Sequence, residues 1–127
     1  MKIIKTNKAP AAIGPYSQAI VSKGLVFTSG QIGIDPTTGD IVNCDIKSEV
    51  EQVIRNLEKV LLEAGSSICK IIKLNVYLKD LNHFNILNSV FENYFSKTSY
   101  PARSTVQVSR LPKDVSVEID AIAEICQ

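Results

Sequence analysis

Tryptophan is absent from the chain, histidine and methionine occur once each, and the three cysteines, Cys44, Cys69 and Cys126, stand far apart. Each scarcity closes off a class of chemistry. A lone His83 without a Cys or Asp pattern beside it builds no catalytic triad. Its place at a predicted helix start, among polar neighbours, gives it a solvent-facing role. An odd number of widely spaced cysteines fits neither a disulfide framework nor a zinc motif, which points to a reducing compartment and no structural metal. No apolar run approaches the roughly 20 residues of a membrane-crossing helix, so no membrane partner is expected. The segment Met1-Lys2-Ile3-Ile4-Lys5 lacks a long apolar stretch and a small-residue cleavage site, so no signal peptide is expected and a cytoplasmic location is the default. Lys and Arg number 14 against 13 Asp and Glu, a net charge of +1. There is no global field to gather nucleic acid and no basic-aromatic stripe, so strong nucleic-acid binding is not expected. A GxxxxGK[ST] phosphate loop, internal repeats and linkers are missing as well.

What is present reads as one soluble domain over residues 1–127, 45% hydrophobic and 21% charged, long enough to bury a core. Lys2–Lys5 predicts a short edge strand. Ala19–Ser22 and Leu25–Ser29 flank Lys23-Gly24, a tight-turn signal, and predict a hairpin. From Ile46 the period changes: Val50, Val53, Ile54, Leu57, Val60 and Leu61 recur at helical spacing, with Asp45 as N-cap and Gly65 just past the end. Ile72, Leu74, Val76 and Leu78 then alternate as a half-buried strand. A second helix is predicted from Asn82, as cap, to Phe95, with Phe84, Leu87, Phe91, Tyr94 and Phe95 on its apolar face. Two further strands, Ser104–Ser109 and Val115–Glu124, flank the turn-rich Arg110–Asp114. The economical architecture is α+β: a single mixed sheet with two helices packed on one face. The far face, with Lys73, Asn75, Tyr77, Glu118 and Ile122, then lacks a covering layer; it either faces water or, as its mixture of apolar and polar side chains favours, packs against sister subunits.

Several residues could carry chemistry. If the last two strands pair as an antiparallel hairpin, Arg103 and Glu118 approach one rim of the sheet, a cation to grip an anion beside a carboxylate to handle water. The same residues also fit a ladder of charges on a wet face. Tyr16, after Gly14-Pro15, either faces a cleft or packs at a strand end. Ser29-Gly30-Gln31-Ile32-Gly33 breaks a strand with small residues and either presents backbone N–H groups to a ligand or bends the sheet. Asn88 lies inside an apolar helix face, so its amide is either locked to backbone or aimed into a cavity.

Taken together, GPYSQA at 14–19, SGQIG at 29–33, the Asn88 helix, PARSTVQV at 101–108 and VEIDAIA at 117–123 make the chain resemble the Rid (YjgF) family of reactive intermediate imine deaminases, over nearly its whole length. The resemblance implies a chorismate-mutase-like fold and a homotrimer with sheets facing inward and clefts between subunits. It implies hydrolysis of 2-iminobutanoate, 2-iminopropanoate and their enamine tautomers, released by serine and threonine dehydratases, to 2-oxo acids and ammonia. Arg103 matches the family's carboxylate-binding Arg and Glu118 the Glu that positions water. Tyr16, Ser29, Gly30 and Asn88 match other cleft residues. Thr105 stands where the family often has Cys, a position thought to act through its backbone carbonyl. Small 2-imino and 2-oxo acids are the implied ligands; no cofactor and no metal is implied. An RNA-directed translation inhibitor or ribonuclease, and a ligand-binding or chaperone-like trimer without turnover, are the competing readings.

Overall fold

Both periodicities materialise in the computed structural model, which describes residues 1–126. Eight elements follow in order: β1 (Lys2–Ile4), β2 (Ala19–Ser22), β3 (Leu25–Thr28), α1 (Ile46–Glu63), β4 (Ile71–Leu78), α2 (Phe84–Phe95), β5 (Ala102–Gln107) and β6 (Val117–Glu124). The strands form one sheet in the order β1-β2-β3-β6-β4-β5, antiparallel except for the parallel β4–β5 pair. It is therefore a mixed sheet, with β1 and β5 at its edges.

Local chemistry accounts for the element ends. Lys23 and Gly24 take φ of 52° and 79°, the left-handed pair that a two-residue turn between β2 and β3 requires. The Asp45 side chain accepts from the Ser48 N–H at 2.7 Å and caps α1. Gly65, at φ 82°, follows the C-terminal residue Ala64. The second helix differs from expectation. Asp80, not Asn82, supplies the cap by accepting from the Asn82 N–H at 2.9 Å. A short 3₁₀ turn, Leu81–His83, intervenes before α2 begins.

The strand order corrects a second expectation: β5 and β6 do not form a hairpin, because β4 lies between them. Helix α2 returns the chain so that β5 runs parallel to β4, the usual outcome of a strand–helix–strand crossover. Residues 108–116 then pass over the end of β4. Val108 N–H donates to Leu78 O at 2.9 Å and Lys79 N–H to Ser116 O at 3.0 Å, stitching that end on both sides. β6 is thereby delivered to the opposite edge of β4, where the two strands pair antiparallel.

Val117, Ile119, Ala121 and Ala123 of β6, with Leu74 and Val76 of β4, meet Val53, Leu57, Val60, Leu61, Leu87 and Phe91 in one core, with both helices on the same side. On the other side no helix of the described residues covers Phe27, Ile122 and the Asn75–Asp120 pair, hydrogen-bonded at 2.8 Å. Only one end of that side is roofed: Ile32, Ile34, Leu111 and Val115 form a small second cluster against Tyr77.

Candidate functional site

The register decides which way each candidate side chain faces. Arg103 aligns with Leu74 and Ala121, both buried under the helices, so it belongs to the helix side of the sheet. Glu118 aligns with Tyr77 on the other side. The two residues predicted to share a rim lie on opposite faces of the sheet, with β4 between their strands. That is a correction, and it follows from the missing hairpin.

On the helix side, Arg103 Nη1 donates to Asn88 Oδ1 at 2.8 Å. Its Cζ lies 5.2 Å from the Phe84 ring centroid and 5.4 Å from that of Phe91. A cavity of about 460 Å³ opens beside it, bounded by Leu74, Asn88, Phe91, Phe95 and Tyr100. Burial draws the guanidinium below its ordinary pKa, and no carboxylate among the described residues forms a salt bridge with it. The Asn88 amide is thus aimed at a cavity and fixes a cation there. Thr105, two residues along β5, shares this side with Arg103, and its Oγ1 is buried without a hydrogen-bond partner among the described residues.

On the other side, Tyr16, Ser29, Gly30 and Glu118 line a second cavity of about 330 Å³. Gly30 is demanded by space: a Cβ there would sit 2.7 Å from Glu118 Oε2. Paired hydrogen bonds between Gln31 and Ile119, at 2.8 and 3.1 Å, hold that strand break against β6. The Ser29 hydroxyl donates to Ser17 O and the Ser29 N–H to Gln18 O, so this serine fastens the 14–18 segment. Tyr16 is 48% exposed, its hydroxyl accepting a long 3.4 Å bond from the Ile13 N–H. Burial raises the pKa of Glu118, and the negative charge of Asp120 raises it further.

Helix α1 contributes no residue to this second cavity, yet its buried polar side chains hold the segments that border it. Glu49, 1% exposed, accepts from the Ser116 and Val117 N–H groups at 2.8 and 3.1 Å, immediately before Glu118. Asn56 donates to Ile32 O and Ile34 O at 3.0 and 2.9 Å. Helix α1 therefore anchors the segments that carry Gly30 and Glu118. The available signal was Glu49 and Asn56 at i and i+7 about Val53 at i+4, two polar side chains set into an apolar helical stripe.

The family model described as Endoribonuclease L-PSP matches residues 6–125. The chain belongs to this family, also called Rid or RutC. A RutC family protein of Pyrococcus abyssi is 53% identical over 96% of this chain and 95% of its own length. The human protein named 2-iminobutanoate/2-iminopropanoate deaminase is 42% identical, covering 96% of this chain and 88% of that protein. Among solved Rid structures, Escherichia coli TdcF with bound serine superposes with a TM-score of 0.95 at 44% identity, covering 99% of this chain and 100% of that one. The Rid fold expected from the sequence, two helices on a single mixed sheet, is therefore correct. No helix among the described residues is long and apolar enough to cross a membrane.

Proposed function

We propose that this chain hydrolyses small 2-imino acids, 2-iminobutanoate and 2-iminopropanoate, to 2-oxo acids and ammonia. The observation that carries this reading is the Arg103 guanidinium, desolvated, steadied by Asn88 and left without a carboxylate among the described residues. Such a group suits the carboxylate of a small acid, which it grips in a fixed plane. A relative solved with serine supports a ligand whose carboxylate adjoins a carbon bonded to nitrogen. Glu118 accepts a proton from water as the water oxygen adds to the C=N carbon. The proton passes to nitrogen to give the carbinolamine, whose hydroxyl proton then moves, by way of the same carboxylate, to the amino nitrogen as the C–N bond breaks, the C=O forms and ammonia leaves. Its raised pKa makes Glu118 a better base than an ordinary carboxylate. Because imines hydrolyse readily in water, a gain of 10²–10³ needs only about 3–4 kcal/mol, within reach of orientation and one base. A ribonuclease reading gains nothing from a net charge of +1.

One copy cannot bring both residues to one substrate, since they occupy opposite faces of its sheet. We infer that clefts form between copies, the Arg103 side at edge strand β5 of one meeting the Glu118 side of the next, as in a cyclic homotrimer. Co-expression tests this. Arg103→Ala and Glu118→Gln chains, each inactive alone, regain about one quarter of wild-type activity in random mixtures, because that share of head-to-tail interfaces holds both native residues. Mixed oligomers verified by mass spectrometry that stay inactive overturn the shared cleft.

Gly30 gives a second check. Gly30→Ala forces the Glu118 carboxylate aside, since the added methyl would overlap it at 2.7 Å. The fold is retained, because the clash is with a side chain rather than backbone. The rate constant kcat is expected to fall about 10²-fold, the cost of roughly an ångström of misplacement, while KM stays near wild type.

A further inference from the structure

Phe84, Asn88 and Phe91 stand at i, i+4 and i+7 of α2, one above another on a single helical stripe. The sequence places both phenylalanines on the apolar face of that helix. Phe91 is indeed buried, whereas Phe84 is 38% exposed and lies outside the core cluster. The Phe84 ring stays partly in water at the head of the helix. What it does contact is Arg103, whose Cζ sits 5.2 Å from its centroid, with the Phe91 ring at 5.4 Å. The Asn88 amide oxygen takes Nη1 between the two rings.

We propose that Phe84 and Phe91 are positioning residues that set the plane of the Arg103 guanidinium, so that its remaining N–H donors are aimed together at a planar carboxylate. This deepens the function proposed above and rests on it. A guanidinium carries five N–H donors, and the Asn88 contact occupies one of them. On a flexible stem, the others would sample many directions, and binding would first have to freeze them. Two ring faces attract the cation and, with a hydrogen bond between them, leave it a single orientation before the acid arrives. Affinity then comes from orientation already in place, and the rings act through the guanidinium they flank.

Phe84 allows a clean test, since its exposure lets it be replaced without opening the core. The probe is 2-oxobutanoate, titrated calorimetrically into the assembled wild-type protein and into Phe84→Leu, Phe84→Tyr and Arg103→Ala, with kcat, KM and thermal midpoints measured in parallel. Leucine keeps the apolar bulk but removes the ring face. Phe84→Leu is expected to raise Kd and KM about 5- to 10-fold, within the range of a partly desolvated cation–ring contact, with kcat within twofold and an unchanged melting temperature. Phe84→Tyr, which restores the face, binds as wild type. Wild-type affinity in Phe84→Leu alongside lost binding in Arg103→Ala overturns the positioning role and leaves the proposed function standing. Equal losses in the Leu and Tyr variants, with lowered melting temperatures, also overturn it in favour of plain packing. Undiminished binding by Arg103→Ala overturns the carboxylate-gripping Arg itself, and the ring cradle with it.

Discussion

Arg103→Ala is expected to lower kcat/KM for 2-iminobutanoate by about 10³-fold. The magnitude follows from two charge-assisted hydrogen bonds of roughly 1.5–3 kcal/mol each, lost where water only partly replaces them. Arg103→Lys recovers little, because an ammonium supplies a point charge where a planar fork is needed. The fold survives, since burial already works against the charged group and the truncation leaves only the Asn88 Oδ1 without its donor. The measurement couples the protein to a threonine dehydratase and follows 2-oxobutanoate release against a competing imine trap. A rate gain undiminished in the alanine variant defeats the proposed chemistry.

Glu49→Leu should cost about 3–4 kcal/mol of stability. Its carboxylate oxygen serves two backbone donors, Ser116 N–H and Val117 N–H, at a place where it is 1% exposed. Removing the acceptor leaves those donors without a partner, at roughly 1–3 kcal/mol each. Against a typical total of about 5–15 kcal/mol, that is a large share. Glu49→Gln keeps an oxygen in place and is expected to lose less than half as much. Urea unfolding, read as a midpoint shift at constant slope, separates the two variants. A leucine variant as stable as wild type would mean that the 115–117 segment finds other acceptors.

Much of the architecture was written in short-range chemistry. The alternation of Val117, Ile119, Ala121 and Ala123 with Glu118 and Asp120 marks a strand with one buried face, and the burial follows it residue for residue. Lys23-Gly24, Asp45 and Gly65 fix a turn and both ends of a helix by local conformational preference. Strand order is a different kind of fact. Alternation says which side of a strand is apolar but not which strand lies beside it, so β5 and β6 read as natural partners until β4 comes between them.

The same limit hid the geometry of the site. The motif at 101–108 marks Arg103 as important, but a cation on the buried-facing register of a strand is only intelligible once Asn88 and two rings are seen around it. Phe84 has the spacing of a core residue and sits outside the core. Glu49 looked like one more polar residue of an amphipathic helix. Its partners lie 67 and 68 positions away in the chain, beyond the reach of any local pattern.

In the proposed ring of copies, a chain whose cation and carboxylate look in opposite directions would serve two neighbours at once. In the assembly proposed above, one copy damaged at both positions silences each cleft it borders, although its neighbours remain chemically intact. Injury to a minority of molecules would therefore spread through a population by partnership, and the loss of function would outrun the fraction of defective chains.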